Sequence, residues 1–472
     1  MIGKKVENFL HQKKFHIENS RVLVGVSGGP DSLALLHLLW KNQKKWNIEI
    51  FAAHVDHMFR GEESYEEALF VQEFCKIRNI AFEMKQVDVP QYMEQTGLSS
   101  EVAARECRYQ FFAEVFVNNK IDYLALGHHG DDQVETILMR LTRGSTGKAR
   151  AGIPFARTFN TGYIFRPFLC LSRVEIEAYC TYYELNPRRD PSNDTLEYSR
   201  NRFRHQVLPF LHQENPQVHL QFERFSDELS SDEDFLQQLS IQEMSKVMKV
   251  QEQGKIVIGI KDFLALPMPL QRRGIQLILK YLYKEKPASL SAIHIDQVFV
   301  LITNPHPSGI LDFPNGLKIV RSYDECQFLF GLQEAEPYRI EISKTGSYLL
   351  PNGARFEMVY ADEECDDKDL YTLKLNLEIS LPIIIRSREK GDRMTLKGMT
   401  GTKKLKNLFI EQKVPVQERN SWPVVTDYSN QILWIPGLKK ANHPFVGNSS
   451  NRYIRLKYIK HGSSRGAQRN EK

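Results

Sequence analysis

From Arg21 to Gly127, short apolar runs alternate with longer stretches whose apolar residues recur at helical spacing. The runs Val22 to Val26, Ile48 to His54, Ala81 to Val87 and Tyr123 to Leu126 read as strands, and Ser32 to Trp40, Glu62 to Arg78, Ser100 to Asn118 and Gln133 to Leu141 read as helices. This alternation predicts an α/β domain built on a parallel sheet with crossover helices. In such sheets ligands sit beyond the carboxyl ends of the strands, so the polar clusters after each strand are the places to look.

The pattern changes around Glu214, Asn215 and Pro216, where charged helical stretches begin, among them the acidic run Asp227 to Asp234. Leu270 to Leu279 has amphipathic helical spacing, and Gly309 to Val320 reads as a hairpin turning at Pro314-Asn315-Gly316. After the acidic segment Asp362 to Asp369, strand-like runs recur at Ile383 to Ile385, Val424-Val425 and Ile432 to Ile435. The expected organisation is an α/β domain over 1–213, a mainly helical middle domain over 214–360 and a small α+β domain over 370–460. The tail, 461–472, is rich in Gly, Ser and charge and is expected to be disordered.

A chain of 472 residues with 42% apolar content can bury several cores. No stretch approaches the roughly 20 continuous apolar residues of a membrane span, and Met1 to Lys14 is too polar for a secretory signal. A cytoplasmic protein is expected. The six cysteines form no Cys-x-x-Cys pair, which fits reduced thiols and implies no zinc or iron–sulfur site. The net charge of +5 is modest, but arginines crowd from Arg140 through Arg143, Arg150, Arg157, Arg166, Arg188, Arg189, Arg200, Arg202 and Arg204. A surface for a polyanion is expected there.

Directly after the first strand comes Ser27-Gly28-Gly29-Pro30-Asp31-Ser32. Paired glycines allow positive φ and close backbone approach, so successive N–H groups can point at an anion where the next helix begins, with the hydroxyls of Ser27 and Ser32 as further donors. Asp31 is unfavourable beside phosphates unless it meets Mg²⁺ or a cation, which suggests ATP with a metal. The turn has no lysine and is not a Walker loop; Gly144 to Ala149 lacks that loop's spacing and follows a helix.

The second strand runs into Ala53-His54-Val55-Asp56-His57, which reads as pocket lining for a base or ribose; zinc at the two histidines lacks a third ligand of matching spacing. On the third predicted helix Glu101, Arg105 and Arg108 share a face, as structural ion pairs or as a fork for phosphate or carboxylate. The fourth strand ends in Gly127-His128-His129-Gly130-Asp131-Asp132-Gln133-Val134-Glu135-Thr136, the densest polar cluster in the chain. Its carboxylates can bind Mg²⁺ or an ammonium, and its histidines can move a proton near neutral pH. Further on, Arg189 to Asn193 and Ser199 to Arg204 combine arginines with turn residues, as a nucleic-acid substrate would require.

The Ser-Gly-Gly-x-Asp-Ser loop resembles the PP-loop ATP pyrophosphatases, which have an adenine nucleotide α-hydrolase-like fold. With Ala53 to His57, Glu101 to Tyr109, Gly127 to Thr136, Arg166-Pro167, Asp190 to Asn193, Ile385 to Arg393 and Lys403 to Lys406 in the same order, the chain resembles the tRNA(Ile)-lysidine synthase family. That family adenylates carbon 2 of the wobble cytidine in a CAU-anticodon isoleucine tRNA and lets free L-lysine displace AMP. The resemblance implies ATP at Ser27 to Ser32 and His54, Mg²⁺ near Asp31, lysine at Asp132 and Glu135 with Arg105 near its carboxylate, and His128 and Asp131 close to the reaction. It leaves Arg108, Arg143, Arg189, Arg200, Arg204, Lys403 and Lys404 as candidates for tRNA contact and a homodimer open. The competing readings are a tRNA-thiolating PP-loop enzyme, which usually needs a cysteine pair or cluster ligands, and a non-catalytic tRNA-binding protein.

Overall fold

The computed structural model describes residues 2–59, 62–188, 195–196, 198–252, 254–284, 290, 292–331, 336–362, 369–396, 401–444, 446 and 452–460. The expected tail and the candidate Arg189 lie outside the described residues. The chain divides into two compact units, Met1–Leu236 and Gln237–Lys472.

In the first unit, strands β1 (Arg21–Gly25), β2 (Glu49–Asp56), β3 (Ala81–Gln86), β4 (Tyr123–Ala125), β5 (Ala156–Phe159) and β6 (Gly162–Phe165) form one sheet in the order β3-β2-β1-β4-β6-β5. All pairs are parallel except the β5–β6 hairpin, whose β5 is an edge. The central position of β1 explains the unbroken apolar run Val22-Leu23-Val24. Val22 and Val24 enter one core with Leu33, Leu36 and Phe74, whereas Leu23 enters a second with Phe112, Val115 and Phe116. Crossovers are supplied by α2 (Pro30–Trp46), α3 (Glu62–Ile77) and α5 (Ser100–Asn118), after α1 (Ile2–Gln12) and beside the short α4 (Val89–Thr96).

Two helices carry the chemistry forward from the sheet: α2, which starts as β1 ends, and α6 (Gly130–Thr142), which starts after β4. Next come α7 (Arg173–Tyr182), a short α8 (Ser199–Arg202), a π-helical turn over Phe203–Val207, α9 (Leu208–Glu214) and the long α10 (Val218–Val247). The unit extends beyond the boundary expected at residue 213, because the first half of α10 is tied in by Gln133 to Ser226 (2.8 Å), Arg150 to Glu233 (3.2 Å) and Lys13 to Glu223 (2.5 Å).

In the second unit, β7 (Met248–Glu252), β8 (Lys255–Gly259), β9 (Ser308–Asp312), β10 (Leu317–Ser322) and β11 (Glu325–Phe330) make an antiparallel sheet ordered β7-β8-β11-β10-β9, packed with α11 (Ile260–Ala265), α12 (Met268–Leu282) and α13 (Ala292–Thr303). Helices are present as expected, but a five-stranded sheet stands beside them, of which the pattern singles out only the 309–320 hairpin. From Arg339 onward the strands belong with the C-terminal sheets, earlier than the boundary expected after 360: Arg339–Ile342 pairs with Ile383–Arg386, and Arg355–Ala361 pairs with the last strand, Tyr453–Ile459.

The C-terminal motif folds around a buried cation. The Arg386 guanidinium, 1% exposed, pairs with both oxygens of Asp392 at 2.9 and 2.8 Å and with Asn430 at 3.0 Å, so these two motif residues hold the loop together. Arg393 and Lys403 then face each other's neighbours across the ribbon Arg393–Thr395 and Thr402–Lys404.

Candidate active site

The turn between β1 and α2 is held by its own serines. Ser32 Oγ accepts the Ser27 amide at 3.0 Å, donates to the Gly29 carbonyl at 3.2 Å and lies 3.2 Å from Ser27 Oγ. Gly28 has φ +87°, which is why a glycine stands there. Pro30 opens α2, where its missing N–H costs nothing, and the first-turn amides of Asp31 and Ser32 lack helical acceptors and are free for an anion. The far side of the loop is braced by Arg188, whose amide donates to the Gly28 carbonyl at 3.0 Å.

Gly127, at the carboxyl end of β4, lets the second helix-bearing loop touch the first. A Cβ at this position would lie 3.0 Å from the carbonyl carbon and oxygen of Asp31 and from the amide of Ser32. Across this contact, His129 begins α6 through a reciprocal cap: its amide donates to Asp132 Oδ2 at 3.1 Å, and its Nδ1 accepts the Asp132 amide at 3.3 Å. The ring proton therefore sits on Nε2, which lies 3.5 Å from Asp132 Oδ2 and 3.8 Å from Asp31 Oδ1. Asp31 Oδ1 is itself buried with no hydrogen-bond partner. Burial is the main cause that raises the Asp31 pKa above the usual carboxylate value; the Asp132 charge adds to it, against His129, Arg173 and Arg204.

Around these groups lies a cavity of about 680 Å³ lined by Ser27, Gly29, Asp31 and Ser32 of the loop, His54 and His57 from β2 and its end, Arg108 and Phe112 of α5, and Gly127, His128 and Asp132. His54 Nδ1 donates to the Val26 carbonyl at 2.9 Å and burial lowers its pKa, so its Nε2 is left as an acceptor. His57 is pushed down to about 4 by burial and by Arg108, which donates to its Nε2 at 3.1 Å. His128 is pushed down to about 3, chiefly by burial, and its Nδ1 has no partner. It is a neutral imidazole over the whole working range, a hydrogen-bonding group and a poor proton acceptor. Burial opposes ionisation of Asp132, but His129, Arg200, His128 and Arg204 outweigh it and hold the carboxyl below the usual range.

Two residues, Asp131 and Glu135, are placed otherwise than the sequence leads one to expect. Asp131 turns away from the cavity: Oδ2 accepts the Arg173 amide at the start of α7 at 2.8 Å, and Oδ1 lies 3.0 Å from His212 Nε2 on α9. It joins helices, and consecutive helical residues point about 100° apart, so it cannot share the direction of Asp132. Glu135 is 1% exposed, and both its oxygens are taken, by Arg200 Nε at 3.0 Å and Arg204 Nε at 2.8 Å. Arg204 also reaches Asp132 Oδ1 at 3.3 Å. Arg143 caps the opposite, exposed end of α6, about 20 Å along the axis, outside the cavity lining. Arg105 is exposed with its guanidinium 4.9 Å from the Tyr109 ring and no carboxylate partner among the described residues. Lys403 pairs with Glu411, whereas Lys404 is exposed. The sequence reading did not single out Gly127, His129 or Phe112 individually; a glycine at a strand end directly before a polar helix start was the signal available for the first.

Among the described residues no group of three or more His, Cys, Asp or Glu side chains could hold a metal by itself. A Mg²⁺ ion bound through one or two carboxylates plus substrate phosphates needs no such cage, and the unpaired Asp31 Oδ1 fits that manner of binding.

Three family models match the chain: a PP-loop domain over residues 2–211, a TilS substrate binding domain over 260–327 and a TilS substrate C-terminal domain over 383–457. The tRNA(Ile)-lysidine synthase of Geobacillus kaustophilus is 48% identical, covering 96% of this chain and 98% of its own. That of Bacillus anthracis is 49% identical over 93% of this chain and 92% of its own, and that of Bacillus subtilis 46% over 98% and 99%. With a phosphate-binding turn, an unpaired aspartate and a capped acidic helix meeting at one cavity, and with such similarity over nearly its whole length, the chain belongs to the tRNA(Ile)-lysidine synthase family.

Proposed function

We propose that the protein uses ATP and free L-lysine to convert the wobble cytidine of a CAU-anticodon tRNA(Ile) to lysidine, and that the reaction takes place in the cavity between the Ser27–Ser32 turn and the start of α6. The observation that carries this reading is the unpaired Asp31 Oδ1, set among glycine-backbone donors and facing Asp132 and His129.

The N–H groups and hydroxyls of the turn would hold the triphosphate, and His54 Nε2 can accept a hydrogen bond from an amino group on the base. Mg²⁺ bound at Asp31 would supply charge neutralisation for the phosphates. The cytosine carbonyl oxygen attacks the α-phosphorus, the bond to the bridging oxygen breaks, and pyrophosphate leaves. The carbonyl oxygen, a poor leaving group, thereby becomes part of AMP, a good one. Lysine's ammonium is drawn to the ionised Asp132 and its carboxylate to Arg105. Once deprotonated, the amine nitrogen forms its bond to carbon 2 as the bond from carbon 2 to the AMP oxygen breaks. The proton passes to water in the cavity, because Asp132 and His128 are both held low and are poor acceptors. Glu135 acts one step back, fixing Arg200 and Arg204 beside Asp132.

The test incubates purified protein with ATP, Mg²⁺, labelled lysine and an isoleucine tRNA transcript bearing CAU, with methionine tRNA as control. Label in the isoleucine transcript alone, located at the wobble cytidine and matched by AMP, is expected. AMP without incorporated lysine would overturn the choice of nucleophile and turn the search to a sulfur donor.

A further inference from the structure

Beside the cavity, on the far side of Phe112, three guanidiniums gather round one phenol. Tyr109 on α5 has its ring 6.3 Å from that of Phe112, which lines the cavity, and 5.9 Å from that of Phe159 on the edge strand β5. Arg105 lies 4.9 Å and Arg157 5.2 Å from the ring centre, and Arg105 Nη2 donates to the hydroxyl at 3.5 Å. Arg166, which follows β6, is 3% exposed; its Nη1 donates to the Pro154 carbonyl at 2.6 Å, and its Nε is buried with no partner.

None of these three guanidiniums has an ion pair among the described residues. Elsewhere in the same unit several arginines are matched with acids, as Arg150 with Glu233, Arg173 with Glu177, and Arg200 and Arg204 with Glu135, while Arg78 and Arg140 bond to backbone carbonyls. Burial opposes ionisation of the Tyr109 phenol, yet Arg105, Arg157 and Arg166 together pull its pKa below the ordinary tyrosine value, a sign of how positive the spot is. Arg166 also adds, after burial, to the lowering of the His128 pKa.

We propose that Arg157 and Arg166, arranged about the Tyr109 hydroxyl beside Arg105, form a phosphate site for the RNA backbone next to the nucleotide whose base enters the cavity. This rests on the RNA substrate of the functional reading. Three positive charges about one phenol exceed what a single carboxylate neutralises, whereas an RNA strand brings one phosphate per nucleotide and Arg forks match its oxygens. Arg157 is exposed on an edge strand, where a strand passing the mouth of the cavity can reach it. Arg166 is fixed behind it as a buried charge that the phosphate would complete.

The experiment measures tRNA affinity of wild type and Arg157→Ala from about 50 to 200 mM salt, with KM for lysine and ATP alongside. The variant should bind about three- to tenfold more weakly at low salt, with a log–log salt slope shallower by about 1 and both KM values unchanged. An anticodon stem-loop carrying an uncharged methylphosphonate beside the wobble cytidine should show the same loss with wild type and no further loss with Arg157→Ala. Tyr109→Phe, which keeps the ring and removes the hydroxyl, should weaken RNA binding in the same direction. Unchanged RNA affinity and slope in Arg157→Ala would overturn the phosphate site, as would a raised KM for lysine with RNA binding intact, which would make it a carboxylate site. Wild-type protein that binds the transcript yet forms no lysidine would overturn the functional reading alone.

Discussion

Gly127 and Asp31 meet through their main chains, with no room for a methyl group between them. The end of β4 and the first turn of α2 are thus set against each other by the absence of a side chain. Gly127→Ala must push Asp31 and Ser32 aside, at a cost of about 1–3 kcal/mol in stability. Misplacement of the loop should lower kcat/KM for ATP by about 10–100-fold. Thermal unfolding and pyrophosphate release, measured on the same preparation, check both; an alanine variant with wild-type turnover would show that the contact is not needed.

Asp31 is expected to trade stability for activity. Its carboxyl pKa is raised by burial, so the folded state holds its proton to higher pH than the unfolded state does, and this group's contribution becomes less favourable as pH rises through the folded value. At pH 7 to 8 Asp31→Asn should therefore melt at a higher temperature than wild type while losing about a hundredfold in pyrophosphate release and its response to Mg²⁺. A lower melting temperature would show that the charge is already compensated in the free protein.

His37 supplies a probe of acid stability away from the cavity. It is 5% exposed, bonds to the Tyr179 hydroxyl at 2.9 Å, and is pushed down to about 4 by burial and by Arg78 and Lys41. The unfolded chain takes up this proton below the ordinary histidine value of 6.5, the folded chain only near 4, so the stability is complete above 6.5 and lost as pH falls toward 4. Between pH 6.5 and about 5 the wild type should lose about 1–2 kcal/mol more than His37→Gln, read from denaturant unfolding at each pH. Parallel curves would place the acid sensitivity elsewhere.

In the C-terminal ribbon the two neighbouring lysines should not be equivalent. Lys403 is already neutralised by Glu411, and Lys404 is exposed. Lys404→Ala should make the salt dependence of tRNA binding shallower by about 1, and Lys403→Ala by less. Equal effects, or none, would show that the ribbon does not contact phosphate in this way.

The central sheet was legible because β1 and its neighbours are apolar on both faces, and α5 was legible to the residue because Ser99 and Asn119 flank an uninterrupted helical pattern. The start of α6 was not. The pattern places it at Gln133, whereas a histidine, an uncommon cap, starts it at Gly130. The acids of this helix were found, but the partners that decide their roles come from far along the chain: Arg200 and Arg204 for Glu135, Arg173 and His212 for Asp131. The Tyr109 group is of the same kind, since Arg157 and Arg166 reach α5 only through the β5–β6 hairpin. In the middle block, β7 and β8 are short and follow a long helix, so their period is too brief to stand out.

The pairing of Asp131 with the α7 amide and of Asp132 with His129 makes the start of α6 sensitive to phase. Two identical neighbours have separate duties only because each occupies its own angle on the helix. Inserting one residue between His129 and Asp132 would rotate everything beyond it by about 100°, turning a joint toward the substrate and the substrate's acid into the core. The same insertion beyond Arg143, where the helix ends in solvent, would leave every one of these angles as it was. Chain length at this one point is therefore as much a part of the reactive centre as the acids themselves.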